Sequence, residues 1–196
     1  MRKGEATRAT VLERAAELAR SIGLEGLTIG KLAEELELSK SGLFAHFGSK
    51  EALQIAVIEE TRRMFVERVF MPALRRPRGE PRVRALFEEW LEWGARRGGC
   101  LIVAAASEMD DREGPVRDRV AASHRDWLDT IAQAARIAVG EGHFRAELDV
   151  EQFAFEMQAL ALEYHMVARL LRDPRALERA QRAFESLLER SRAPRQ

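Results

Sequence analysis

Residues 38–53 read LSKSGLFAHFGSKEAL, and this stretch decides the fold of the chain. It is rich in small hydroxyl residues and lysines, and it has no acidic residue before Glu51. Ser39 and Ser49 are residue types that begin helices, and Gly48 is the type that ends one. The stretch therefore predicts a short helix that is followed at once by another.

The short helix has two chemically different sides. Leu43, Phe44 and Phe47 form an apolar side that anchors the helix to the helices before it. Thr28 is suited to begin one of those helices, and the segment ELELSKSG joins the two as a tight turn, which indicates a helix-turn-helix. A helix that enters a DNA groove about 12 Å wide needs small, polar and cationic residues on its outer side, because acids there are repelled by phosphate.

The rest of the chain is helical in pattern. Helical spacing of apolar residues appears nearly everywhere in the 196 residues, and strand-like alternation does not. We predict an all-α fold of about nine helices, in which the first three are short. The break at Gly48–Ser49 predicts a helix-turn-helix domain at 1–48 and a larger helical domain for ligand binding and dimerisation at 49–196.

Several classes of function lack support in the sequence. Cys100 is the one cysteine, so the chain has no internal disulfide. There are no paired catalytic carboxylates, no nucleotide-binding glycine loop and no zinc-ligand spacing, so we expect no enzyme activity, no metal and no cofactor. The chain has no apolar leader and no apolar run of about 18 residues, which predicts a cytoplasmic protein without a membrane segment.

The helix-turn-helix segment carries a family resemblance. The run LTIGKLAEELELSKSGLFAHFGSKEAL at 27–53 resembles the DNA-binding segment of TetR-family transcriptional regulators, and the likeness extends over roughly residues 8–60. The segments at 98–120 and 142–155 are more loosely similar to the ligand-binding half of one branch of that family. The resemblance implies a dimer that binds double-stranded DNA and a small-molecule effector.

The resemblance also implies a set of DNA contacts, which are Thr28, Ser39, Lys40, Ser41, Gly42, Phe44, His46 and Lys50. Thr28 and Lys50 start helices, where backbone N–H groups and the helix dipole favour phosphate. The alternative for Thr28, Ser39 and Ser49 is helix capping alone, and His46 could merely cover the ring of Phe47. The family usually has tyrosine at the position of Phe44 and often threonine at that of Gly42, so the hydroxyl that either residue would offer to DNA is missing here, although both positions stay among the expected contacts.

Net charge does not favour DNA binding. The chain has 32 basic and 32 acidic residues, and residues 1–60 hold more glutamates than lysines and arginines together. The charges must therefore be segregated. We expect three glutamates to face away from DNA and three basic residues to reach its backbone as a mobile arm; these are Glu34, Glu35 and Glu37, and Arg2, Lys3 and Arg8.

Candidate ligand contacts lie on the fourth to eighth helices, which the resemblance implies enclose a largely apolar pocket. They are Phe65, Trp90, Trp93, Cys100, Met109, His124, Trp127, Ile131, Met157, Tyr164 and His165. Each of these residues could instead belong to the core. Cys100 could sense redox state, although an isolated cysteine in an apolar run is more often inert. The acids in DDREGP are more typical of a solvated turn than of a metal site.

The eighth helix, at whose start Asp149 and Gln152 resemble a capping box, is apolar on two faces. The ninth, which Asp173 and Pro174 are suited to cap and begin, carries another apolar stripe, Leu177, Ala180, Phe184 and Leu187. These helices predict a four-helix interface between two subunits, although both stripes could be internal core. We expect a ligand-responsive regulator, and a repressor more than an activator, that binds a palindromic operator as a homodimer and is released by a small, largely apolar effector. The alternative is a helical interaction or small-molecule-binding module without DNA binding.

Overall fold

The apolar periodicities of the sequence become buried helix faces in a computed structural model of the chain. The structure describes residues 3–96 and 98–194, with side chains from residue 8 onward. Arg2, which we expected in a mobile arm, lies outside the described residues. Lys3 already begins a helix, so the described part of the expected arm is helical.

The described residues form nine helices and no strand, which confirms the predicted all-α fold. Of the three helices predicted to be short, the second and third are, but the prediction is wrong for the first, which has 20 residues. The helices are α1 Lys3–Ile22, α2 Ile29–Glu35, α3 Lys40–Phe47, α4 Lys50–Phe65, α5 Glu80–Ala95, α6 Leu101–Met109, α7 Pro115–Gly140, α8 Val150–Arg169 and α9 Ala176–Ser191. Beyond Phe65, α4 continues as a π-helical turn, Val66–Phe70, and a last α-helical turn, Met71–Leu74. None of the helices described is long and apolar enough to cross a membrane.

Side-chain caps explain where several helices begin. The hydroxyls of Thr28, Ser39 and Ser49 each accept a hydrogen bond from the backbone N–H three residues on, at 3.0 to 3.1 Å. Asp149 does the same at the start of α8, at 2.9 Å. Each cap satisfies an N–H that the helix itself leaves unpaired, so these starts are encoded locally.

One start was predicted wrongly. Asp173 and Pro174 were expected to cap and begin the ninth helix, but α9 begins at Ala176. The Asp173 carboxylate instead accepts a hydrogen bond from the N–H of Arg175, two residues on, at 2.8 Å. This is an Asx-type turn, which uses the same side chain to close a turn before the helix.

The chain divides into two compact units. The first comprises Met1–Met64 and Cys100–Ser123, and the second comprises Phe65–Gly99 and His124–Gln196. The predicted division into 1–48 and 49–196 remains a prediction about function.

The first unit has one continuous apolar core. The core joins buried residues of α1 to α4 with five residues from the later segment, which are Leu101, Ala105, Met109, Val116 and Val120. On α3, Leu43 and Phe47 are its contributions, with 2% and 7% of their surfaces exposed. The segment after Cys100 is therefore part of the unit that contains the helix-turn-helix.

Polar contacts reinforce this packing. The Glu108 carboxylate on α6 accepts hydrogen bonds from the backbone N–H groups of Leu24, at 3.2 Å, and Glu25, at 2.7 Å. The buried amide of Gln54 on α4 donates to the carbonyl of Leu24, at 2.7 Å. The turn between α1 and α2 is thus held on both sides, because its backbone groups find partners on α4 and α6.

The second unit is built on α8, which packs against both α5 and α9. Phe87 of α5 stacks on Phe184 of α9 with ring centroids 4.0 Å apart. Of the apolar stripe predicted for α9, three residues are buried in this core, Ala180, Phe184 and Leu187, whereas Leu177 is exposed.

A network of ion pairs centres on Glu80 at the start of α5. Its carboxylate accepts hydrogen bonds from Arg192, at 2.6 and 2.8 Å, and from Arg84, at 3.2 Å. Arg84 also binds Glu185 of α9. The hydrogen bonds from Arg192, followed by those from Arg84, hold the pKa of Glu80 below its ordinary value of 4.5. The network links the start of α5 to α9 and to the residue that follows it.

We expect Glu80→Gln to lower the free energy of unfolding by about 1–2 kcal/mol, because Arg192 loses its anionic partner and Arg84 keeps only Glu185. Since the pKa is lowered in the folded state, this contribution is present above pH 4.5 and is lost as the pH falls through the folded pKa. Urea titrations of wild type and variant at pH 7 should therefore differ, and those in the most acidic buffers should converge. Glu88→Gln, at an exposed position on the same helix, is the control; an equal loss there would contradict the prediction.

Candidate functional site

The exposed side of the helix-turn-helix brings two of the predicted DNA contacts together. Thr28 caps α2, and Lys40 is the first residue of α3. A Cβ placed on Gly30 would lie 3.8 Å from the Thr28 hydroxyl oxygen and 3.8 Å from Lys40 Nζ. A hydroxyl and an ammonium group therefore converge over the start of α2, where the helix dipole also favours an anion.

The outer side of α3 is small and polar at its start. Its exposed residues are Lys40, Ser41, Gly42, Phe44, Ala45 and His46. Leu43 and Phe47 are buried behind them, as predicted for two of the three anchors. The expected anchoring by Phe44 is wrong, because 58% of its surface is exposed. Its position on α3 points the ring out of the core, so an apolar ring lies among the residues predicted to meet DNA.

Ser39 and Gly42 act as a local pair. The Ser39 hydroxyl accepts the N–H of Gly42 at 3.1 Å, and a Cβ at position 42 would lie 2.9 Å from that hydroxyl oxygen. A larger residue at position 42 would therefore disturb the cap that starts α3. Capping is the role of Ser39 that the geometry defines, and its contact with DNA remains a prediction.

The ring of Phe47 has two polar neighbours. The guanidinium of Arg8 on α1 lies 5.6 Å from its centroid, within the range of a cation–π contact. The ring of His46 is tilted against it, with 6.4 Å between centroids, and His46 is exposed. Arg8 is therefore a helical residue packed near α3, and not part of a mobile arm.

Lys50 is engaged within the first unit. Its ammonium group lies 2.7 Å from Glu25, and Arg112, after α6, lies 3.0 Å from the same carboxylate. The hydrogen bond from Lys50 is the largest cause of a lowered pKa at Glu25. The N-terminal end of α4 thus carries a lysine that is already paired, which distinguishes it from Lys40.

Aromatic rings cluster in the second unit. Phe65 makes edge contacts with Trp93 and Trp127, with centroids 5.8 and 4.8 Å apart, and Trp90 contacts Trp127 at 5.3 Å. The indole N–H of Trp127 is buried and has no hydrogen-bond partner among the described residues. Four of the predicted ligand contacts are thus brought together, and the unsatisfied indole N–H of Trp127 lies among them.

The other predicted ligand contacts are more scattered. Ile131 and Met157 are fully buried in the second unit, and His124, Tyr164 and His165 are half-buried there. Burial raises the pKa of Tyr164. Cys100 and Met109 are buried in the first unit, where Met109 belongs to the core. Their role as ligand contacts stays a prediction.

Metal-binding side chains do not gather in the part of the chain that the structure describes, where no group of three or more His, Cys, Asp or Glu residues could hold an ion. Asp110, Asp111 and Glu113 are exposed in the segment after α6.

One face of α8 is apolar and exposed. Phe155 and Met166 have 64% and 52% of their surfaces exposed, although Phe153 and Met157 on the opposite face are buried. Leu170 and Leu171, which follow α8, and Leu177 of α9 are also exposed. The two apolar faces predicted for α8 are therefore distinct in the structure.

Some residues that shape these sites were not recognised in the sequence. Glu25 and Glu108 fix the turn before α2, but their partners are at least 25 residues away in the chain. No local pattern marks such contacts. Gly30, whose bare Cα leaves room for Lys40, could have been recognised only from its position in the first turn of α2.

Comparisons with known proteins agree with this geometry. Residues 11–57 match the model of bacterial regulatory proteins of the tetR family, and residues 79–184 match that of the tetracyclin repressor-like C-terminal domain. A comparison with curated proteins gave no match.

Solved structures have the same fold. A TetR transcriptional regulator from Chloroflexus aurantiacus J-10-fl is 28% identical, with a TM-score of 0.89 over 99% of this chain and 100% of that one. A TetR-family regulator from Cytophaga hutchinsonii is 20% identical, with a TM-score of 0.86 over 100% and 99% of the two chains. AibR, solved in complex with isovaleryl coenzyme A and operator DNA, is 24% identical, with a TM-score of 0.65 over 80% and 84%.

The two matched models together take in most of the chain, and both the helix-turn-helix and the helical unit that follows have the expected form. The chain belongs to the TetR family of bacterial transcriptional regulators, which are DNA-binding proteins and not enzymes.

Proposed function

We propose that this chain is a ligand-responsive repressor that binds a palindromic operator as a homodimer and leaves it when a small, largely apolar effector binds. The observation that carries the proposal is the convergence of the Thr28 hydroxyl and Lys40 ammonium groups on the exposed side of a helix-turn-helix. Arrangements of this kind bind phosphate and base edges at the N-terminal end of a recognition helix.

Dimerisation follows from the short reach of α3. An eight-residue helix meets few base pairs, so a two-fold dimer is needed to read two half-sites, about 34 Å or a multiple of it apart. The exposed apolar face of α8, with Phe155 and Met166, supports an interface through α8 and α9. Because three of the four apolar residues predicted on α9 are used internally, we assign α8 the larger share and α9 the contact at Leu177.

The aromatic cluster supports an effector site in the second unit. Rings of Phe65, Trp90, Trp93 and Trp127 offer a large apolar surface, and the buried indole N–H of Trp127 could orient a polar atom of the effector. The related fold of AibR was solved with both a coenzyme A thioester and operator DNA, which supports the pairing of the two activities.

Helix α4 is suited to transmit the signal. It begins at Lys50, next to α3, and its residue Phe65 belongs to the aromatic cluster. The π-helical turn Val66–Phe70 follows directly, and such turns are frequent at functional sites. An effector that binds better when α4 has pivoted shifts the population away from the DNA-binding state, and one that binds both states equally shifts nothing.

The competing proposal is a helical or small-molecule-binding module without DNA binding. The excess of glutamate in residues 1–60 is the observation that favours it. Selection of bound duplexes from a random pool separates the two. Recovery of two inverted half-sites would support a dimeric repressor. Failure to enrich any sequence, together with no specific shift of duplex from the chain's own upstream region, would exclude it.

Lys40→Ala should weaken binding to the selected duplex by roughly 10-fold, because each subunit then presents one cationic group fewer to the DNA. The slope of log affinity against log salt should fall by about one for each phosphate that the lysine no longer neutralises. Arg125→Ala removes the same charge at an exposed position in the second unit and serves as the control. Unchanged affinity in Lys40→Ala would contradict the assigned contact.

Phe44→Tyr should bind the operator roughly threefold to tenfold more tightly, because the exposed ring would gain a hydroxyl able to bond a phosphate. The ring lies outside the core, so the melting temperature should not change. Titration of a labelled duplex measures the affinity. A loss of affinity would show that the ring makes an apolar contact that the hydroxyl disturbs.

Phe155→Glu should convert the dimer to monomer, because a charge would be buried in an apolar interface without a partner. Light scattering coupled to gel filtration measures the mass, and operator binding should weaken in parallel. Met71→Glu places the same change at another exposed apolar residue, on the last turn of α4, and should remain dimeric. A dimeric Phe155→Glu protein would exclude the α8 interface.

A further inference from the structure

Arginines and a histidine converge in the second unit where α5 and α8 end. Arg96 follows α5, and His165 and Arg169 lie in the last turns of α8. A Cβ on Gly99 would lie 2.5 Å from His165 Cε1 and 2.8 Å from Arg169 Nε, so the two side chains meet over one bare glycine. The Arg169 guanidinium also donates to the carbonyl of Arg96, at 3.3 Å.

The polar atoms of this group are not satisfied. Nη1 of Arg96 and Nδ1 of His165 are buried and have no hydrogen-bond partner among the described residues. Buried polar groups are ordinarily paired, so a group left unpaired is either costly or kept for a ligand. Nδ1 of His165 faces the bare Cα of Gly94, where a Cβ would lie 3.8 Å from it.

The charge of the group is also unbalanced. Burial, and then the nearby charge of Arg68, lower the pKa of Arg96, while Glu92 partly offsets them. Burial and Arg169 lower the pKa of His165. Each group thus lies where further positive charge is disfavoured, and an anion bound among them would relieve the repulsion.

The surroundings indicate the rest of the ligand. The Arg96 guanidinium lies over the ring of Trp93, 4.8 Å from its centroid, and Trp93 contacts Phe65 of the aromatic cluster. Arg68 and Arg169 are exposed, and Arg96 and His165 are half-buried. The group is therefore open to solvent on one side and adjoins aromatic rings on the other.

We propose that Arg96, His165 and Arg169 bind the anionic head of the effector, a carboxylate or phosphate ester whose apolar body contacts Trp93, and that Arg68 adds positive charge nearby. The regulatory role of this ligand rests on the proposed function. The anion site itself does not, since an anion could bind here in a chain that did not bind DNA. It adds a head group of defined charge to the largely apolar effector of the proposed function.

Three compounds with one aromatic body test the head group. They are 2-naphthoate, 2-naphthyl phosphate and uncharged 2-naphthamide, and quenching of tryptophan fluorescence reports their binding to the full chain. At least one charged compound should bind roughly 10-fold more tightly than the amide. The better of the two identifies the head as carboxylate or phosphate. Equal affinity for all three compounds, or no binding by either charged one, would overturn the proposal.

Substitutions test whether these residues cause the preference for the charged compounds over 2-naphthamide. Arg96→Gln should abolish the preference for the charged compound, and Arg68→Gln, at an exposed position where folding is not at risk, should reduce it several-fold. Arg125→Gln is the control for overall charge. Preference retained in both Arg96→Gln and Arg68→Gln, or lost equally in Arg125→Gln, would overturn the assignment.

Duplex binding separates this inference from the proposed function. Fluorescence titration requires no DNA, so its result stands even if no duplex is recovered from the pool. If the charged compound binds and also lowers affinity for the selected duplex, both proposals are supported. If the chain binds its duplex but shows no preference among the three compounds, the anion site alone is excluded.

Discussion

The burial of Leu43 and Phe47 is the constraint on which the DNA-binding surface depends. Helix α3 has eight residues, too few for a helix to be stable alone in water. Its caps at Ser39 and Gly48 contribute, but the apolar contacts behind it determine where it lies. Because only two side chains hold it, the other positions of α3 are available for contact with a partner. Even the apolar ring of Phe44 is exposed, so α3 is held by two buried side chains and its other side chains face outward.

The chain obtains a cationic surface without a basic composition. In the first unit, Glu108 accepts backbone N–H groups and Glu25 pairs with Lys50 and Arg112, so both carboxylates are used to hold the turn before α2. Lys40, by contrast, lies on the exposed side of the helix-turn-helix, near the hydroxyl of Thr28. The second unit shows the reverse arrangement near Gly99, where guanidinium groups lie close together and only partly compensated. Net charge is therefore a poor guide to either surface, because the pairing of charges is decided locally.

The sequence predicted those features that neighbouring residues encode. The helix starts at Thr28, Ser39, Ser49 and Asp149 could be predicted because each depends on one local hydrogen bond. In each case a side-chain oxygen accepts the backbone N–H three residues further along the chain. The π-helical turn after Phe65 could not be placed from the sequence, because Pro72, which follows it and lacks a backbone N–H, disturbs helical hydrogen bonding without specifying a π-helical turn. Nor could the contacts of Glu108, whose partners are 83 and 84 residues away. The position of Phe44 was misread because three apolar residues were assumed to share one face of a helix too short to bury them all.

The discontinuous make-up of the first unit limits how this regulator can be recombined with others. Its apolar core includes Leu101, Ala105, Met109, Val116 and Val120. These five residues lie in a later segment of the chain than α1 to α4, with which they share the core. A chimaera that took only the first 64 residues and joined them to a foreign effector half would leave that core open unless the new partner supplied matching side chains. The first 64 residues therefore cannot be transferred on their own as an independently folded DNA-binding domain. Exchange between homologues would succeed only when the graft carried both stretches together.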